Sequence, residues 1–191
     1  YNVICKFDAD LIFPNNYLEQ LSAHFKNNDK LGMASGFCYI EKNGNWILEN
    51  LTRKDHIRGA LKAYRKECFL QIGKLKPSMG WDTVDELLAK YYGWDILTDE
   101  SLHVKHLKPT GISYNKASKY LQGEAMYKMR YGFTITLISA LKLAYKKKRF
   151  VFLRIIWLAI LKLKRKTYPI WFQKLRANSF VIYVGKGCWV N

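Results

Sequence analysis

Three short segments carry side chains whose types and spacing are suited to chemistry. The first is Asp8-Ala9-Asp10, two carboxylates one residue apart, directly after the apolar run Val3–Phe7. The second is Gly80-Trp81-Asp82-Thr83-Val84-Asp85-Glu86, with three acids inside one helical turn next to an indole. The third is Leu102-His103-Val104-Lys105-His106-Leu107, which holds two of the four histidines. Paired carboxylates at the end of a strand supply hard oxygen ligands for Mg²⁺ or Mn²⁺, ions that also take phosphate oxygens. Such an ion neutralises charge developing on a leaving diphosphate. A carboxylate fixed at a helix start beside an apolar ring can serve as a general base towards a hydroxyl. Each segment also has a plain structural reading. Asp8-Ala9-Asp10 can be a polar turn capping the next helix. Asp82 can be an N-cap, with Asp85 or Glu86 complementing the helix dipole. His103 and His106, three apart on a strand, point to opposite faces, so only one can reach a site.

The elements around these segments describe an alternation of strands and helices, and so an α/β domain. Val3–Phe7 reads as a buried strand that ends in the two aspartates, at the strand end where open α/β sheets bind ligands. Pro14 opens a helix whose apolar face is Tyr17, Leu18, Leu21 and Phe25, and Asn27-Asn28-Asp29 closes it. Residues 32–40 read as a strand, and Asn43-Gly44 is a hairpin signal leading into Trp46-Ile47-Leu48. Residues 57–72 read as a loop and then a short helix. Residues 83–92 form a helix capped by Gly93, and two strands follow, at 94–97 and 101–107.

Taken together, the segments FDADLIFPNNYLEQL, RGALKAYRKECFLQIGKLKPSMGWDTVDELLAKYYGW and LHVKHLKPTG resemble the family 2 glycosyltransferases of GT-A fold, over about residues 1–132. The order is the family's: a strand and D-x-D, an acidic motif at a helix start, then a strand ending in V-x-H. The resemblance implies an inverting, metal-dependent transfer of a sugar from a nucleotide-sugar donor to a saccharide or lipid-linked acceptor, as in cell-surface polysaccharide biosynthesis. It implies that Asp8 and Asp10 bind the metal (Mn²⁺ or Mg²⁺) and the diphosphate, with Asp10 the direct ligand, and that His106 completes the metal site. Counted back from Gly93, Asp82 matches the base position. Trp81 stands where that motif usually has Glu, which leaves the base open between Asp82 and Asp85. The Q-x-x-R-W signature of processive synthases is absent, since after Gln122 the chain reads GEAMYKMRYG. A single-addition transferase is therefore expected. Family members carry the nucleotide-base pocket on strands before D-x-D. The expectation is thus a truncated GT-A domain, the C-terminal portion at residues 1–111, inactive as a fragment on its own.

Charge divides the chain differently. Of the 32 Lys and Arg that give the net charge of +17, fourteen lie in residues 1–107 against fourteen acids. Residues 108–191 hold eighteen against the single acid Glu124. The apolar runs 133–145 and 150–163 flank Lys146-Lys147-Lys148-Arg149 and are too short and too charged to span a bilayer. Amphipathic helices of that composition, with Trp157, Tyr168 and Trp171, fit the headgroup layer of an anionic membrane. Residues 112–191 are accordingly expected to be a membrane-associating helical region, placing the protein peripherally on the cytoplasmic face of the inner membrane. A helical subdomain with a solvated basic face is the alternative. A nucleic-acid-binding module and a non-catalytic scaffold are the rival functions. The first is disfavoured because the basic residues alternate with Leu, Ile and Val, so no nucleic-acid partner is expected. The scattered cysteines Cys5, Cys38, Cys68 and Cys188 form neither a zinc pattern nor a disulfide framework. Three of them lie in apolar stretches, the usual setting of buried free thiols.

Overall fold

In the computed structural model, residues 1–49, 55–77, 80–108, 125–126 and 132–146 are described. They fall into two units, residues 1–76 with 81–113, and residues 77–80 with 114–191. The first is a mixed α/β unit in the order β1 (Val3–Phe7), β2 (Leu11–Ile12), α1 (Tyr17–Asn27), β3 (Leu31–Lys42), β4 (Asn45–Leu48), β5 (Leu61–Arg65), α2 (Lys66–Gln71), α3 (Trp81–Tyr91) and β6 (Asp95–His106). The second contains α4 (Gly132–Lys146).

The sheet runs β1-β5-β3-β6-β2, with β4 also pairing β3. Only β3 and β6 are parallel, and the other pairs are antiparallel. β3 and β6 are long because each carries register shifts that let twelve residues follow the twist. The hairpin between β3 and β4 turns on Asn43 (φ 53°) and Gly44 (φ 78°), two left-handed residues as a tight primed turn requires.

α1 lays Tyr17, Leu21 and Phe25 on the sheet against Cys38, Leu102 and Val104. These positions are spaced by four, so they form one stripe. Leu18 falls outside that stripe and is 62% exposed, contrary to the expected face. Helix α1 begins at Tyr17, not at Pro14, whose carbonyl accepts the Tyr17 amide in the preceding turn. Gly36 lets Tyr17 approach closely enough for its hydroxyl to accept the Gly36 amide (3.1 Å), and a Cβ there would collide with the Leu102 carbonyl.

Three other expectations are corrected. Val3–Phe7 is an edge strand, partly exposed, and not a buried one. Its Cys5 is exposed, whereas Cys38 and Cys68 are buried; Cys188 lies outside the described residues. The stretch taken as a loop before α2 contains β5, and Leu61 to Tyr64 in it are all buried. The two strands expected at 94–97 and 101–107 are one continuous β6.

Strand order has a geometric consequence. β1 and β2 sit at opposite ends of the path, yet Phe7 and Leu11 are only four residues apart. Four residues reach at most about 14 Å, while four flat interstrand steps need about 19 Å. The sheet therefore curls at this end until Asp8-Ala9-Asp10 closes the gap between its edges.

On α4, Leu137, Ile138, Leu141 and Tyr145 are exposed, and Thr136 and Ala140 are buried. No helix among the described residues is long and apolar enough to cross a membrane. The expected helix at 150–163 and the basic run at 147–149 lie outside the described residues.

Candidate active site

The loop Asp8-Ala9-Asp10 is held from both sides by backbone. The Asp8 amide donates to the Ala60 carbonyl (2.9 Å), and the Leu107 amide donates to the Asp10 carbonyl (2.9 Å). Next to it in sequence, the Phe7, Phe13 and Tyr17 rings pack in tilted and edge-to-face contacts, with centroids 4.7 to 5.9 Å apart. The carboxylates are thus fixed by packed aromatic rings and two strand ends, while their side chains stay partly open to solvent.

The two aspartates then part company. Asp8 is ion-paired with Lys6 two residues back, and Lys6 also donates to the Gly59 carbonyl (2.8 Å). Asp10 instead faces His106, with Oδ1 3.6 Å from Nε2. His106 ends β6, opposite Leu11 of β2, and its side chain is buried, while His103 on the other face is exposed. That is the alternation expected of the pair. On the far side of the imidazole, Nδ1 lies 3.3 Å from Glu49 Oε2. Glu49 is itself paired with Arg58 (2.8 Å), which also donates to the Glu49 carbonyl (2.9 Å). A carboxylate held this way accepts the Nδ1–H hydrogen bond and turns the Nε2 lone pair towards Asp10, the usual arrangement behind a metal-binding histidine.

Two donor sets share His106. Asp10 Oδ1 and His106 Nε2, 3.6 Å apart, offer an oxygen and a nitrogen that would hold a divalent cation, and the solvent side of Asp10 leaves room for further oxygen ligands. The residues there fit a divalent cation. Cys38, Glu49 and His106 also place ligand atoms within 4.8 Å of one another. In that second set, however, Arg58 already brings a cation to Glu49, and burial pushes the Cys38 thiol up to about 12, so it keeps its proton. The open side at Asp10 suits a dication better.

The acidic helix start lies beyond Trp81. α3 begins at Trp81, so Asp82 sits in the first turn and not at the expected N-cap. The Trp81 ring takes Lys6 and Lys62 at 5.5 and 5.4 Å, one from β1 and one from β5, as cation–π partners. Gly59 packs on the same ring, and a Cβ there would come within 3.2 Å of the indole. Trp81 thereby ties the Asp8 segment to the Asp82 segment through Lys6, a role that capping does not explain.

The two candidate bases have different surroundings. Asp85 is buried at 1% exposure and receives Lys62 Nζ (2.7 Å), the Tyr64 hydroxyl and the Glu86 amide (2.7 Å). Burial nonetheless pushes its carboxyl up to about 6, against the pull of Lys62 and Tyr64 and with help from Glu86. Burial, followed by the Asp85 charge, also drives the Tyr64 phenol well above its ordinary range. Asp82 is about one-third exposed, gives its carbonyl to Lys62 (2.5 Å) and has His56 Nε2 3.9 Å from its Oδ2.

Lys6, Glu49, His56, Arg58 and Lys62 escaped the sequence reading. For Lys62 the fold shows why: it is a buried Lys, which requires an acid nearby, but that acid comes from a distant helix.

No protein-family model and no curated protein matches the sequence. Among solved structures, the chain is similar to the mannosyltransferase PcManGT from Pyrobaculum calidifontis in complex with GDP-Man and Mn²⁺. The identity is 11% and the TM-score 0.46, over 96% of this chain and 54% of that one. The chain thus spans about half the length of that protein, and at this distance no residue is carried across.

Proposed function

We propose that the chain is part of a metal-dependent glycosyltransferase of the family 2, GT-A type, with Asp10 and His106 holding the ion and Asp82 acting as base. One observation carries this reading. Glu49 and Arg58 orient the buried His106 so that Nε2 faces a partly open aspartate at a sheet end, and the acidic turn of α3 is joined to that end by Trp81 and Lys6. The ion, Mn²⁺ or Mg²⁺, supplies neutralisation of the leaving diphosphate. Lys6 is paired with Asp8, so that carboxylate brings no uncompensated negative charge to a diphosphate bound beside Asp10. The Asp82 carboxylate is about one-third exposed and can be reached by an acceptor hydroxyl, whereas Asp85 is enclosed by Lys62 and Tyr64. The transfer is a single displacement that inverts the sugar carbon, from a nucleotide-sugar to a saccharide or lipid-linked hydroxyl.

The basic C-terminal region supports a peripheral site of action on the cytoplasmic face of the inner membrane. α4 exposes Leu137, Ile138, Leu141 and Tyr145, next in sequence to the basic run Lys146-Lys147-Lys148-Arg149. Such a helix lies along an anionic surface more readily than across it.

Mn²⁺ binding followed by electron paramagnetic resonance tests the assignment without requiring turnover. The wild-type chain should bind the ion, and Asp10→Asn and His106→Gln should each weaken binding at least tenfold with an unchanged circular dichroism spectrum. Full affinity in both folded variants removes the metal site from the proposal.

A further inference from the structure

The roles above leave His56 unused, although it is placed between two acids of α3. It lies on the segment entering β5 and is mostly buried. Its Nδ1 is 2.9 Å from Glu86 Oε1, and its Nε2 is 3.9 Å from Asp82 Oδ2. Glu86 cannot easily swing away. The same oxygen accepts the Ile57 amide (2.9 Å) and stands 3.5 Å from Lys62 Nζ. A carboxylate pinned by backbone and lysine accepts the Nδ1–H hydrogen bond, which leaves the Nε2 lone pair on the side of Asp82, a base–orienter pair of the kind that activates proton transfer.

We propose that His56 is a positioning residue for Asp82 that receives, through Asp82, the proton removed from the acceptor hydroxyl. The inference rests on the reading of Asp82 as base. As the acceptor O–H bond breaks, its electron pair forms the new bond to the sugar carbon. The bond from that carbon to the diphosphate breaks, and its pair departs with the diphosphate. The proton moves to Asp82 Oδ2, then to His56 Nε2, and from the imidazolium to water. The charges facing the ring suit this sequence. Asp82 and Glu86 from α3 flank it and stabilise an imidazolium, while the Lys62 charge beyond Glu86 is matched by Asp85. On its own segment, Arg58 is turned to Glu49. Catalytic hydrogen bonds are commonly longer in the ligand-free state and tighten when substrate is bound, as 3.9 Å would need to.

Two measurements test the inference. In ¹⁵N-histidine NMR spectra of the chain, wild-type His56 should show the Nδ1-protonated tautomer, and Asp82→Asn should shift its Nε2 resonance. An Nε2 resonance unmoved by Asp82→Asn shows that the two side chains do not face each other and overturns the proposal. In turnover assays, His56→Gln should lower kcat about tenfold or more with an unchanged donor KM, and added imidazole should restore turnover to His56→Ala. If Asp82→Asn is inactive while His56→Gln turns over at the wild-type rate, the relay falls and Asp82 remains the base. If Asp82→Asn itself turns over normally, the base reading falls first. Where no acceptor supports turnover, the NMR result decides.

Discussion

Asp10 and Asp85 are the same residue type at the same end of the chemistry, and the fold treats them in opposite ways. Asp10 sits on a strap between two sheet edges, partly open, with one histidine nitrogen before it. Asp85 lies inside α3's buried face, satisfied by Lys62, Tyr64 and the Glu86 amide. The first is supported by its neighbours yet left with unused lone pairs. The second has spent its lone pairs on the fold. A carboxylate available for ligands is recognised here by what its partners leave over, not by the acidity of its segment.

The sharpest way to break that contrast is to set the enclosed Asp85 against Asp82, the partly open carboxylate of the same helix. Asp82→Asn should reduce kcat by about 10² to 10⁴ at constant donor affinity, because a positioned base contributes on that scale. Asp85→Asn should instead act on stability, with turnover per folded molecule near wild type. An inactive but fully folded Asp85→Asn beside an active Asp82→Asn would reverse the assignment.

The next largest effect concerns Lys62, which is completely buried. Lys62→Met leaves Asp85 and Glu86 in the interior without their cation, and removing one partner of such a pair costs about 3–5 kcal/mol. Urea denaturation should show that loss. A loss below about 1 kcal/mol would mean that the buried acids are satisfied elsewhere.

A smaller effect follows from the raised carboxyl of Asp85. Between its ordinary value, 3.8, and about 6, the folded chain holds a proton that the unfolded chain has released. Stability from this group is therefore present below about pH 4 and is lost as pH rises through 6. Wild type should lose on the order of 2–3 kcal/mol relative to Asp85→Asn across that window. Parallel denaturation curves at pH 4 and pH 6.5 would show whether burial outweighs the lysine.

The local signals in the sequence located much of this architecture. Asn43-Gly44 named its own turn, Gly93 with φ +84° closed α3, and the spacing of His103 and His106 separated an exposed ring from a buried one. Elements whose logic is long-range were misread. β5 reads Leu-Lys-Ala-Tyr-Arg, and nothing nearby shows that Lys62 is neutralised by an acid twenty-three residues on. β6 looked like two strands because Asp99-Glu100-Ser101 resembles a turn. In the fold, Asp99 is held by His24 (2.6 Å) and Ser101, and the strand continues through a register shift. Likewise the aspartates were visible in Asp8-Ala9-Asp10, but the division of labour between them depends on Lys6, Glu49 and Arg58, whose relevance appears only once β1, β4 and β6 converge.

The strap between Phe7 and Leu11 also sets how the site fails. β2 is two residues long and pairs only with the last residues of β6, at His106 and Lys105. So short a ladder opens far more often than the central strands, in local excursions that leave the rest of the unit folded. Each excursion frees Asp10 from His106, because the Leu107 amide and the Leu11–His106 pairing are what hold the two opposite each other. Amide hydrogen exchange at Ile12 and Leu107 would then report how long the two groups remain aligned. An ion bound between them would slow that exchange, locking the curled sheet shut at its weakest seam.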